Sequence, residues 1–238
     1  MGVLPTHKTP ARTDLADLTV LIYGAPKIGK STFCSQGDHA LFLATEAGLN
    51  HLDTYQVPVA SWLELQEACA EIAAGQHDFR TVIIDTIDNA LHMCEHYICE
   101  RHGIKHPSDL EYGKGYALVT NEFTRVLTKL SLLPYGLYLI SHAEQIEVKT
   151  RTDKYKKWVP SLGGKARKAV LSLMDIILYA DIEDAVDAEG HPIELRVLRT
   201  KPTTGYEAGD RTGRLPDTLP LDYQAFVDAF NVDPFRDQ

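Results

Sequence analysis

Gly24-Ala25-Pro26-Lys27-Ile28-Gly29-Lys30-Ser31 sets two glycines, a lysine and a hydroxyl in the spacing G-x-x-x-x-G-K-[ST]. Each fixed position has a chemical task. Glycines let the backbone curl until successive N–H groups converge on phosphate oxygens. Lys30 is placed to reach the β- and γ-phosphates of a nucleotide, Ser31 offers a hydroxyl to Mg²⁺, and Thr32 can hydrogen-bond a phosphate. A helix expected to open at Ser31 adds its partial positive charge. The chemistry read from Gly24 through Thr32 is the binding of ATP with Mg²⁺.

Such a site needs an acidic residue at the end of a neighbouring strand to hold the metal's coordination shell. Asp85, which ends TVIID, fits; its competing role, capping the next helix, can fall to Asp88. A base to activate water is less obvious, because Thr86 follows Asp85 where many ATPases carry a glutamate. Glu46 ends the run ALFLAT, and in a parallel sheet the carboxyl ends of strands share one edge with the phosphate loop. His142 closes a later strand on that edge. It is placed either to sense a γ-phosphate or to sit as a satisfied buried histidine.

The second signal is a charge asymmetry. Lys149–Lys168 holds eight cations (Lys149, Arg151, Lys154, Lys156, Lys157, Lys165, Arg167 and Lys168) against Asp153, a net +7 that leaves −16 on the rest of a chain totalling −9. Tyr155 and Trp158 lie among them. Cations that track phosphates, interleaved with aromatics on which bases stack, are the composition of a single-strand nucleic-acid binder. A solvated charged loop is the plain alternative. A second segment, Pro107–Tyr116, carries Tyr112, Lys114 and Tyr116 and is placed to line the same channel.

These residues need a frame. Leu18–Tyr23, Ala40–Thr45, Thr81–Ile84 and Leu137–Ile140 read as buried strands. Ser61–Ala74, Asp88–His102, Tyr116–Leu133, Lys165–Leu173 and Asp222–Phe230 read as helices. Ser61 with Glu64 forms a capping box, and Gly75 and Gly103 act as stops. Asp175–Ile182 and Ile193–Thr200 read as a hairpin at one sheet edge. Alternating strands and helices imply an α/β fold with a mostly parallel sheet covered on both faces. Residues 1–16 read as a flexible arm before one domain, 17–238. Residues 143–164 read as a mobile loop, since a loop that long inside a compact domain is usually functional or disordered.

Composition sets bounds. The chain has 238 residues, 44% hydrophobic and 24% charged, ordinary for a globular protein. A net charge of −9 argues against generic coating of nucleic acid or anionic membrane, without excluding a local basic site. Cys34, Cys69, Cys94 and Cys99 follow no C-x-x-C spacing and read as reduced cytoplasmic thiols. No apolar run approaches the roughly 18 residues of a membrane span, and no signal peptide is legible. Met1-Gly2…Thr6 fits a loose myristoylation pattern. His92, Cys94, His96, Cys99, His102 and His106 crowd one stretch but match no zinc spacing.

In this order the motifs resemble the RecA-like P-loop ATPase core, in the minimal form of bacteriophage single-strand annealing and recombination proteins, over roughly residues 17–230. LFLATEAGLN is similar to the recombinase segment whose glutamate activates water, which implies that role for Glu46. TVIIDT resembles the second nucleotide motif and implies Asp85 for Mg²⁺. LYLISHAEQ before a basic segment resembles the strand and DNA-binding loop of recombinases, with Ser141, His142 and Gln145 as candidate γ-phosphate switches. Arg199-Thr200-Lys201 resembles a basic pair that reaches the γ-phosphate of a neighbouring subunit, which implies a homo-oligomer, a ring or filament with ATP between protomers. The resemblance thus implies an ATPase that binds single-stranded DNA, acts in a host cytoplasm and works beside a single-strand-binding protein. Two other readings stay open: a small-molecule (nucleotide) kinase with Arg151 and Arg167 in a lid, and a binding module regulated by nucleotide without turnover.

Overall fold

The computed structural model describes residues 4, 6–151 and 153–232; the myristoylation pattern, which rests on Met1 and Gly2, lies outside them. The first strand, β1 (Thr19–Gly24), is buried along its whole length. A strand covered on both faces needs apolar residues at every position rather than alternate ones, as LTVLIY supplies. β2 (Ala40–Ala44) and β4 (Thr81–Asp85) are buried in the same way. Between them in sequence, β3 (Tyr55–Pro58) pairs parallel to β2 and forms an exposed sheet edge. This strand was not expected from the sequence. Its four positions all face solvent, so it carries neither alternation nor an apolar run.

β5 (Gly136–Lys149), β6 (Lys154–Pro160), β7 (Ile176–Val186), β8 (Pro192–Arg199), β9 (Gly209–Asp210) and β10 (Thr218–Pro220) complete the strands of the described residues. The sheet runs β10-β8-β7-β1-β5-β4-β2-β3. β1 lies parallel between β5 and β7, and β5, β4, β2 and β3 continue the parallel series. β8 and β10 are antiparallel at the far edge. This is a mixed α/β arrangement, a mostly parallel sheet with antiparallel strands at one edge. β7 belongs to the parallel body through its first half and to the expected hairpin through its second.

Alternate residues of each central strand enter opposite cores. Leu21, Leu43, Ile84 and Leu139 pack under α2 (Trp62–Ala74), α3 (Ile87–His102), α4 (Lys114–Ser131) and α5 (Gly164–Leu173). Val20, Ile22, Phe42, Ile83 and Ile140 face Phe33 of α1 (Lys30–Cys34) and Phe226 and Phe230 of α6 (Tyr223–Asn231). Ser61 caps α2 by accepting from the Glu64 N–H at 3.2 Å, while the Glu64 carboxylate accepts from the Ala60 N–H at 2.8 Å. Gly75 and Gly103 end α2 and α3 in left-handed geometry at φ 69° and 62°. α1 is shorter than the phosphate motif leads one to expect, five residues, because Ser35-Gln36-Gly37-Asp38 propagates a helix poorly.

Residues 143–164, expected as a loop, contain a regular β-hairpin. β5 runs on past His142, and Ala143–Lys149 pairs antiparallel with Lys154–Pro160. The reason lies in period two: Ile146, Val148, Tyr155, Lys157 and Val159 lie on one face, and polar or charged residues with Trp158 on the other. The density of lysines hid that alternation. No helix of the described residues is long and apolar enough to cross a membrane.

Candidate functional site

The phosphate loop leaves the carboxyl end of β1 and curls under its own backbone. Gly24 has no alternative there: a Cβ would stand 2.5 Å from the Ala180 carbonyl oxygen of β7. Lys27 and Gly29 adopt left-handed φ values of 63° and 118°, which turn successive N–H groups toward one concavity. With α1 only five residues long, the helix charge contributes less than expected, and this curled backbone and Lys30 carry the anion site. The Lys30 ammonium is buried and donates to the carbonyls of Gly24 at 3.0 Å and Ala25 at 2.8 Å. Burial lowers its pKa, opposed by the carboxylates of Asp85, Asp88 and Glu46.

Ser31 Oγ donates to Asp85 Oδ2 at 2.6 Å. Burial raises the Asp85 carboxyl, with the Ser31 hydroxyl and Lys30 opposing. A hydroxyl and a carboxylate in contact at the mouth of a phosphate cradle are oxygen donors of the kind Mg²⁺ takes. The two share a cavity of about 510 Å³ with Pro26, Lys30, Glu46 and His142. Thr86 lines it too, and its buried hydroxyl has no partner among the described residues. The residues fit ATP with Mg²⁺: Ser31 and Asp85 would hold the metal, which neutralises phosphate charge, while Lys30 and the loop N–H groups hold the phosphates.

Glu46 reaches the cavity because Thr45 pins the end of β2. The Thr45 N–H donates to the Asp85 carbonyl at 2.8 Å, and its hydroxyl accepts from the Thr86 N–H at 2.8 Å. Asn89 Nδ2 donates to the Thr45 carbonyl at 3.0 Å. The Glu46 side chain is exposed to the open cavity, yet partial desolvation raises its carboxyl above the ordinary range, with His142 the main opposing influence. His142 Nδ1 lies 2.7 Å from Asp88 Oδ2. A carboxylate oxygen only accepts, so Nδ1 carries the proton and Nε2 remains for a ligand. Asp88 therefore belongs to the site, as a partner of His142 rather than as a cap; Thr86 occupies the N-cap position of α3. In the sequence, Asp88 reads as a helix cap, and neither Thr45 nor Asn89 stands out. Asp88 and Asn89 sit one helical turn past the Asp85 strand end, which is where they could have been sought.

The cations of Lys149–Lys168 divide. Hairpin register places Gln145, Glu147, Lys149, Lys154, Lys156 and Trp158 on one exposed face. Glu147 lies 3.5 Å from Lys149 and 3.8 Å from Lys154, surface pairs of small weight. Tyr155 and Lys157 lie on the opposite, half-buried face, and Lys157 pairs with Glu207 at 3.0 Å. Arg167 is half-buried against Glu144 at 2.7 Å and the Leu162 carbonyl. Arg151 is exposed near the hairpin turn, Lys165 is exposed on α5, and Lys114 is exposed as the first residue of α4, outside the hairpin. Arg199 is held by Asp181 at 3.4 Å and Glu183 at 3.0 Å within its own chain, and Lys201 by Asp210 at 3.6 Å. Among the described residues, the stretch 92–106 forms no group able to share a metal; His92 and His96 pair with Glu95 and Glu100, and Cys94 and Cys99 are buried.

The AAA domain family (AAA_24) matches residues 16–212. The SPbeta prophage-derived uncharacterized protein YorG of Bacillus subtilis (strain 168) is 24% identical over 166 residues, which cover 67% of this chain and 49% of that protein. The chain spans about half the length of that relative. The flagellar accessory protein FlaH from Methanocaldococcus jannaschii is similar with a TM-score of 0.45 and 8% identity, over 86% of this chain and 84% of that one. The chain belongs to the AAA domain family, a family of P-loop ATPases.

Proposed function

We propose that this protein hydrolyses ATP in step with binding single-stranded DNA on the exposed face of the β5–β6 hairpin, as a homo-oligomer acting in recombination or strand annealing. The observation that carries the reading is the continuity of β5. One strand holds His142 in the nucleotide cavity and, seven residues on, Lys149 on the basic face. A γ-phosphate oxygen only accepts, so His142 would meet it as the imidazolium, with Nδ1–H on Asp88 and Nε2–H on the phosphate. That contact shifts a residue whose carbonyl accepts from the Ser161 N–H at the base of the hairpin, the geometry of a γ-phosphate switch. Glu46 serves as general base, Lys30 and the loop N–H groups stabilise the transferred phosphoryl, and Ser31 and Asp85 hold Mg²⁺. In an assembly, Arg199 and Lys201 would exchange their acidic partners for a neighbour's nucleotide. The prophage-derived relative supports a phage role.

The test is binding of a fluorescent oligothymidylate followed by anisotropy across salt concentrations, with ATP or a non-hydrolysable analogue. Binding that tightens with nucleotide and weakens with salt is expected. Nucleotide-independent binding, or none, contradicts the proposal.

A further inference from the structure

Two hairpins rise from the carboxyl edge of the sheet, β5–β6 and the outer part of β7–β8, and a cleft of about 290 Å³ lies between them. Its floor is the outer side of the phosphate loop at Pro26 and Ile28, one wall is Trp158, and the other is Tyr179, Asp181 and Ile182. Trp158 is 37% exposed and Ile182 48%, whereas the second tryptophan, Trp62, is 1% exposed. Ligand pockets begin at about 300 Å³. An open, aromatic-walled cleft at that lower end has room for a planar ring system.

The main chain that carries Trp158 is fixed in advance. Its backbone N–H donates to the Gly205 carbonyl at 2.8 Å, and its carbonyl accepts from the Glu207 N–H at 3.0 Å. The Tyr23 hydroxyl lies 3.1 Å from that carbonyl and donates to the Glu207 carbonyl at 2.6 Å. Burial raises the Tyr23 phenol far above its usual value, so it stays protonated as a donor. Tyr23 directly precedes Gly24, so the Trp158 main chain is tied to the strand that ends in the phosphate loop.

Charge decides what ring system enters. Lys154 and Lys156 share the exposed face with Trp158. The opposite hairpin carries Asp181, Glu183, Asp184 and Glu194, and Arg199, paired with the first two, offsets one of their two charges. A polyanion is therefore attracted to one wall and repelled by the other. Its phosphates follow the lysines while an apolar face turns inward.

We infer that the cleft is a base slot: one nucleobase of single-stranded DNA stacks on Trp158 between the hairpins, with its flanking phosphates on Lys154 and Lys156. The inference rests on the DNA-binding reading and adds where a base goes. A base so placed touches Pro26 and Ile28, so DNA occupancy is felt on the outer side of the nucleotide cradle.

The test uses Trp62→Phe protein, in which Trp158 is the sole tryptophan, titrated with oligothymidylate and with an abasic strand of equal length. Oligothymidylate quenches the indole emission, and Trp158→Ala weakens its binding about 5- to 150-fold, the worth of one base–aromatic stack. The abasic strand neither quenches nor responds to Trp158→Ala. Ile182→Asp, an exposed substitution on the facing wall, checks the slot in protein with both tryptophans intact and reproduces the loss for oligothymidylate alone. If oligothymidylate binds with emission unchanged and the abasic strand binds equally well, the slot is overturned and the lysine face stands. If neither strand binds, the slot and the DNA reading fall together.

Discussion

His142 Nδ1 and Asp88 Oδ2 stand 2.7 Å apart, and the other Asp88 oxygen accepts from the His142 backbone N–H at 3.3 Å. One carboxylate on the first turn of α3 thus fixes both the ring and the main chain of the residue that follows the buried part of β5. Asp88→Ala is expected to leave KM for ATP nearly unchanged and to lower kcat about tenfold, since loss of one buried hydrogen-bond partner costs about 1–3 kcal/mol. Ring ¹⁵N shifts should show His142 losing its fixed Nδ1-protonated state. Unchanged kcat with a free ring would separate His142 from turnover.

Lys30→Met tests the phosphate cradle. The charge-assisted hydrogen bonds it removes are worth about 1.5–3 kcal/mol, so ATP affinity by calorimetry should fall about 10- to 100-fold. Thermal stability should hold or rise, because a desolvated ammonium is replaced by an isosteric apolar chain. A large loss of stability would mean that Lys30 is needed for the fold.

Glu46→Gln should retain nucleotide and lower turnover by about 10²- to 10⁴-fold. Desolvation raises the Glu46 carboxyl above its ordinary 4.5. A base works ionised, so turnover in the parent protein declines as pH falls through that raised value, at higher pH than for a solvated glutamate. The residual activity of the glutamine variant should lack that acidic limb. A limb that persists belongs to another group.

The basic residues should separate by role. Replacing Lys149, Lys154 and Lys156 with alanine removes up to three phosphate contacts and should flatten the log Kobs against log salt slope by about 0.7 per contact. Lys157→Ala and Arg167→Ala should leave that slope alone and lower thermal stability, because each strands a carboxylate partner, Glu207 or Glu144. The reverse pattern would place DNA on the opposite face of the hairpin.

Gly24→Ala places a methyl group 2.5 Å from the Ala180 carbonyl oxygen. Overpacking of this kind typically costs about 1–3 kcal/mol. A lower denaturation midpoint is expected, with β1 and β7 forced apart beside the phosphate loop; an unaltered midpoint would show that β7 yields freely.

The sequence made the nucleotide site legible because its parts are local. Gly24–Ser31 is one continuous motif, and Asp85 and Glu46 each end a buried apolar run whose direction the parallel sheet dictates. The contacts that hold these residues were harder to foresee. Thr45, Asp88 and Asn89 act through hydrogen bonds that join strand ends to the start of α3 or to each other across 41 to 54 residues. The hairpin at 143–160 was read as a loop because lysines masked its alternation, and the exposed β3 had no pattern to read. Lys157 and Arg167 look like DNA contacts by composition, yet register and burial turn both toward acidic partners.

The coupling of the two sites is the central claim, and phosphate release from ATP with and without single-stranded DNA, at low and high salt, tests it most directly. The account predicts strong stimulation by DNA that fades at high salt and disappears when Lys149, Lys154 and Lys156 are replaced, with unstimulated turnover preserved. ATP turnover that ignores DNA at both salt concentrations would contradict it.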